Sequence, residues 1–166
     1  FRSRFVVVYG TASESTLMRT VCEREARRFE RRWERAYGRA PRVVRDRDLA
    51  ESDWQDSHLI LIGGPEANSQ TARFTRGWPV EFESGAFRLG PGTYDGPAQG
   101  LLMCRPNPRR PDRLVALTHG NSPGALYQSL DRFGAWLSYG VSPRSNWFDF
   151  GVFDARTATP ESFLHV

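Results

Sequence analysis

Phe5-Val6-Val7-Val8-Tyr9, closed by Gly10 and followed by Thr11-Ala12-Ser13-Glu14-Ser15, is the stretch that decides the fold class. A continuous β-branched and aromatic run bounded by a glycine reads as a strand buried on both faces, the kind found in parallel sheets. Behind it, Thr11 and Glu14 have the spacing of a capping box. From about Ser15 to Tyr37 apolar residues recur at Leu17, Met18, Val21, Cys22, Ala26, Phe29, Trp33 and Tyr37, the three-and-four spacing of one buried helix face. Gly38 and Pro41 supply the stop.

Further along, Arg42–Arg45 (RVVR) reads as a short strand near a sheet edge, and the segment DLAESDWQDS as a turn of helix. His58–Ile62 (HLILI) is a second buried strand. Pro65 at a first helical position, with Glu66 behind it, predicts a short helix running to about Phe74, broken by Gly77 and Pro79. Val80-Glu81-Phe82 and Ala86-Phe87-Arg88-Leu89 alternate around Glu83-Ser84-Gly85 and predict a β-hairpin. Gly100–Arg105 is a strand, Pro106–Asp112 (PNPRRPD) a loop, and Arg113–Thr118 the next strand. A helix from about Ala125 to Leu137 and a final strand, Phe148–Phe153, complete the reading. Strands alternating with helices predict a three-layer α/β domain. Its sheet is mainly parallel and flavodoxin- or Rossmann-like, with an inserted antiparallel hairpin. The whole of residues 1–166 reads as one such domain, and the start at Phe1 suggests a segment of a longer polypeptide.

Composition narrows the function classes. The chain has 23 Lys+Arg against 19 Asp+Glu and a formal charge of +4, yet it contains no lysine. A P-loop, which needs its Lys, is therefore excluded, and G-x-G-x-x-G is absent after the first strand. The sequence thus points to no dinucleotide and no other cofactor. Cys22 and Cys104 read as separate small hydrophobes, and His58, His119 and His165 lack ligand spacing, so no metal is expected. No apolar run approaches the roughly 20 residues of a spanning helix.

Ligands of open α/β sheets bind outside the carboxyl ends of the strands. Three loops belong at that edge: Tyr9–Ser15, Gly63–Ser69 and Thr118–Gly124. Their small and polar residues Thr11, Ser13, Gly63, Gly64, Asn68, Ser69, Gly120, Asn121 and Ser122 form a candidate site for a weakly held anion or small ligand near helix N-termini. The same residue types also serve simply as turns and caps.

Gly120-Asn121-Ser122-Pro123-Gly124 is a literal G-x-S-x-G between a strand and a helix, the context of a nucleophile elbow. Asp131, Asp149, Asp154 and His165 follow, so the order Ser…Asp…His of a small esterase can be met, with His119 as a further candidate base. Against this, the residue after the nucleophile normally donates its N–H to the oxyanion, and Pro123 has none. Serine at N-cap and proline at N1 account for Ser122 and Pro123 as well. A Cys104–His119 pair is the other conceivable nucleophile and base.

Eleven arginines and five acidic residues lie between Arg19 and Arg47. Arg24–Arg28, Arg27–Arg31, Arg28–Arg32 and Arg31–Arg35 stand at i,i+4 as like pairs, against Glu23–Arg27. Such a face over 19–35 could meet nucleic acid, an acidic protein surface or solvent. No helix-turn-helix, aromatic platform or zinc finger supports nucleic acid, which leaves a protein partner or solvent as the expected neighbour.

Taken together, FRSRFVVVYGT, RVVRD, HLILIGGPEAN, the VEF…FRLG hairpin, PNPRRPDRLVAL and GNSPGAL resemble an accessory α/β domain that stands beside the catalytic domain in bacterial multidomain hydrolases of the prolyl-oligopeptidase or esterase type. The resemblance implies a domain without its own catalytic triad, no family catalytic residue mapping onto this chain. It implies a neighbouring serine-hydrolase domain as partner and an exported or periplasmic location.

Overall fold

The computed structural model of the chain describes residues 4–127, 129 and 150–154. Strand β1 (Phe5–Tyr9) lies between β2 (Arg42–Arg45) and β3 (His58–Ile62), parallel to both. β3 in turn pairs in parallel with β8 (Arg110–Gly120). Beyond β8 come β7 (Gly100–Asn107), antiparallel to it, and β9 (Phe150–Phe153), antiparallel to β7. The main sheet is therefore β2-β1-β3-β8-β7-β9, mostly parallel, with β7 running against the rest. A separate antiparallel sheet is made by β4 (Val80–Glu83), β5 (Ala86–Leu89) and β6 (Gly92–Tyr94). The expected hairpin thus gains a third strand.

Alternation along β1 explains both cores. Val7 and Tyr9 join Val21, Cys22, Ala26 and Phe29 of helix α1 (Thr16–Tyr37) on one face. Val6 and Val8 join Trp54 of α2 (Glu51–Asp56) and Phe74 of α3 (Ser69–Phe74) on the other. Successive side chains of a strand point to opposite faces, so an apolar residue at every position requires cover on both. At the β7–β9 end, Leu101, Met103 and Val152 are covered by Val80, Phe87 and Leu89 of the small sheet.

Several boundaries differ from the sequence expectation. Helix α1 is capped by Ser15, whose Oγ accepts from Met18 N at 3.3 Å, and not by a Thr11–Glu14 box. It ends as expected at Gly38, whose φ of 71° is left-handed and whose N–H reaches Glu34 O at 2.7 Å. At its ends the apolar stripe is not buried: Leu17 is 63% and Tyr37 64% exposed. Helix α3 starts at Ser69 under an Asn68 cap, Pro65 and Glu66 belonging to a preceding turn. The PNPRRPD segment is not an open loop. Asn107 faces Arg110 across a two-residue turn, so β7 and β8 form one long hairpin. Buried Asn107 fixes it, donating Nδ2 to Trp54 O at 2.8 Å and accepting from Arg109 N at 3.0 Å. Pro106 is tolerated because the register shifts between it and Asn107. The helix after β8 (α4) is described over residues 123–127 and at 129, starting earlier than Ala125, and positions 128 and 130–137 lie outside the described residues. Among the described residues, no helix is long and apolar enough to cross a membrane.

Candidate functional site

The chain steps from β1 to β2 on one side and to β3 on the other, so the order reverses at β1, and the loops after β1 and β3 meet at the carboxyl edge. They meet tightly. Ala12 N donates to Ala67 O at 2.9 Å. Asn68, with no exposed surface, donates Nδ2 to Val8 O at 3.1 Å and to Ile62 O at 3.0 Å. Its Oδ1 accepts from Gln70 N and Thr71 N, so one side chain ties two strand ends to the first turn of α3.

The position an anion would take between these loops is filled by the protein's own carboxylate. Asp46 follows β2 in a short 3-10 turn (Asp46–Asp48) and is 1% exposed. Its Oδ1 accepts from Thr11 N at 3.1 Å and from Thr11 Oγ1 at 2.6 Å, and its Oδ2 from Ser69 N at 2.8 Å. Hydrogen bonds to a charged acceptor are each worth about 1.5–3 kcal/mol, and orphaned buried donors are costly. The desolvation cost of the buried carboxylate offsets part of that gain, so Asp46→Ala is expected to lower the unfolding free energy by about 2 kcal/mol net, read from the shift of a urea transition.

Of the other residues expected at this edge, Ser13 accepts through Oγ from Ser15 N, and Gly63 links β3 to β8 by donating to Thr118 O. Gly64 packs flat on His119. A Cβ there would lie 2.2 Å from His119 Nδ1, so only glycine fits.

The third loop is equally committed to internal contacts. Asn121 donates Nδ2 to Tyr94 O and Gly96 O, each at 3.0 Å, which pins the small sheet to the main one. Gly120 lies against the backbone of Leu126. Ser122 Oγ donates to Pro97 O at 2.6 Å and accepts from Ala125 N at 3.1 Å, which makes it the N-cap of α4 with Pro123 at N1. His119 Nε2 is 3.1 Å from Asn121 Oδ1, so the ring donates there and leaves Nδ1 bare toward Gly64. Phe82 and Phe87 approach the ring edge-on, at centroid distances of 5.1 and 5.6 Å. Burial drives its pKa down to about 4, the Asn121 bond opposing this only in part. His119 is therefore a neutral, enclosed imidazole whose hydrogen bond goes to Asn121 and not to Ser122. Cys104 pairs with Ala116, three positions along the ladder from His119, and packs on the α1 side of the sheet, opposite to that imidazole. Cys22 is buried against Gly63, its thiol pushed up to about 12 by burial, and neither cysteine is in a disulfide. Asp154 is buried; Asp131, Asp149 and His165 lie outside the described residues.

No family model and no curated protein matches the sequence.

An open groove of about 420 Å³ remains at the same edge, on the far side of Asp46, between β2 and the first turns of α1. Thr11, Thr16, Arg19, Glu23, Arg45 and Arg47 are among its lining residues. Arg19 is held by the carbonyls of Ser13 and Glu14 and by Thr16 Oγ1. Arg45 Nε donates to Tyr9 Oη at 3.3 Å, which favours its charged form further. The sequence placed Thr11 of this set at the ligand edge, put Arg19 only on the basic face over 19–35, and gave Arg45 and Arg47 no ligand role. Within the arginine tract they look like neighbours of any other arginine, and only the return of β2 beside β1 brings Arg45 and Arg47 to Arg19. Elsewhere on α1, Arg27 pairs with Glu30 at 3.0 Å, while Arg24 and Arg28 lie over the Tyr127 ring. Part of the basic face is thus already engaged within the chain.

Proposed function

We propose that this chain is a non-catalytic accessory domain of a multidomain bacterial hydrolase of the prolyl-oligopeptidase or esterase type. It stands beside the catalytic domain in an exported protein and presents an anion-attracting edge at the carboxyl ends of its strands. The three-layer, flavodoxin-like architecture belongs to the same reading, and the reversal of strand order at β1 supports it.

The observation that carries the proposal is the state of Ser122. Its hydroxyl proton goes to Pro97 O, its lone pair caps α4, His119 is bonded elsewhere, and Pro123 offers no oxyanion donor. A nucleophilic serine needs a base within hydrogen-bond reach and a donor for the developing oxyanion. Losing one such donor costs about 10²–10³ in rate. The resemblance carried by GNSPGAL and the other quoted segments supplies the hydrolase context.

The test is chemical. Exposed to a fluorophosphonate probe and a simple aryl ester, the chain is expected to take no label at Ser122 and to give no turnover. Ser122→Ala should cost about 1 kcal/mol of stability through the lost cap and change nothing else. An adduct at Ser122, with turnover abolished by that substitution, would overturn the reading.

A further inference from the structure

The arginine groove allows the anion-attracting edge to be made specific, and the inference rests on that part of the proposed function. We infer that the groove between β2 and α1 is a binding site for a small phosphate monoester. Its volume, about 420 Å³, lies in the range of small-molecule sites, roughly 300–1,000 Å³. Three arginines line it from three elements: Arg19 from α1, Arg45 from β2 and Arg47 from the following turn. Glu23 is the one carboxylate on the lining, and Asp48, off the lining, stands 3.9 Å from Arg47 Nε, so the three arginines still leave a net positive charge, which favours a dianion over a monoanion.

The acid that stands between two of them in sequence does not neutralise them. Asp46 stands between Arg45 and Arg47, yet its carboxylate is turned inward to Thr11 and Ser69 and lines no part of the groove. That inward turn is what separates an occupied anion position, above β1 and β3, from an open one above β2.

The donor arrangement favours phosphate over carboxylate. A carboxylate is planar and is satisfied by a single bidentate guanidinium, whereas a phosphoryl group presents three acceptor oxygens in different directions. Arginine donors supplied by three separate elements suit the second shape. Arg19 is held in place before any ligand arrives by Ser13 O, Glu14 O and Thr16 Oγ1, which lowers the ordering cost of binding. Arg45 is steadied by Tyr9, whose own hydroxyl donates to Glu23 at 3.5 Å. The hydroxyl protons of Thr11 and Thr20 are committed to Asp46 and to Thr16 O. Thr16 Oγ1 accepts from Arg19, so its proton is the one hydroxyl proton on this lining left to donate to a ligand.

The experiment titrates the chain with glycerol phosphate at constant ionic strength, following arginine side-chain NMR signals and heat. Saturable shifts are expected at Arg19, Arg45 and Arg47. The double substitution Arg45→Gln and Arg47→Gln, both on exposed side chains, should weaken binding by about tenfold or more, while Arg39→Gln leaves it unchanged. Dimethyl phosphate, a monoanion of similar shape, should compete poorly. Non-saturating shifts, equal binding by dimethyl phosphate or malonate, or an unchanged affinity in the double variant would each overturn the inference. So would retention of an oligonucleotide in place of glycerol phosphate. The fluorophosphonate assay is read on the same protein. An inert chain that fails to bind glycerol phosphate loses the groove alone, whereas labelling of Ser122 removes the accessory reading and leaves the titration result standing.

Discussion

Asn68→Ala is expected to lower the unfolding free energy by about 4 kcal/mol, among the largest effects a single side chain of this protein can produce. Asn68 has no exposed surface and makes four hydrogen bonds, to Val8 O, Ile62 O, Gln70 N and Thr71 N. Truncation leaves two strand-end carbonyls without their side-chain donor and the first turn of α3 without its cap. Ile62 O keeps its bond from Gly10 N, so the loss falls on Val8 O and on the N–H groups of Gln70 and Thr71; a buried group left unpaired costs about 1–3 kcal/mol, and a lost cap about 1 kcal/mol. Urea unfolding followed by circular dichroism measures the loss. Asn68→Asp separates the contributions: it keeps the capping oxygen but replaces both donors, so it should be nearly as damaging as alanine. Wild-type-like stability in either variant would show that the two loops are not held together through this residue.

Acid should destabilise the fold through His119. Its pKa is depressed from 6.5 to about 4 in the folded state, because burial disfavours the imidazolium. Between these values the unfolded chain binds the proton and the folded chain does not. Stability is therefore fully present above about pH 6.5 and falls as the pH drops toward 4, by about 3 kcal/mol in total. His58, whose pKa is lowered first by burial and then by Arg113, acts in the same direction, and its protonation would also remove the acceptor for Leu114 N. Urea midpoints measured at intervals from pH 7.5 to pH 4.5 would trace the slope. His119→Gln should flatten most of it, at the cost of lower stability at neutral pH. An unchanged slope in that variant would place the acid sensitivity elsewhere.

The strands and the long helix were legible because their information is local. FVVVY and HLILI are continuous apolar runs, and α1 carries its stripe and its glycine stop within one segment. Ser122 as cap and Pro123 as first helical residue were legible for the same reason. The hairpin β7–β8 was not. Three prolines and two arginines look like an open loop, and what closes it is Asn107 reaching Trp54 across 53 residues. The expected Thr11–Glu14 box failed similarly: Thr11 satisfies itself with Asp46, a partner 35 residues away, which leaves Ser15 to cap the helix.

The candidate site divides along that line. Amino-acid order alone determined that this chain builds an α/β sheet buried on both faces, with polar loops at the strand ends. Periodicity and caps act between residues a few positions apart, and they are written in one dimension. Only tertiary structure decided which loop residues are occupied and which remain open. Asp46 fills the position between β1 and β3, Asn68 locks it across 60 residues to Val8, and Arg45 and Arg47 come beside Arg19 when β2 docks against β1. Burial and long-range hydrogen bonding select among chemically equivalent polar residues, and that selection exists only once the chain has folded.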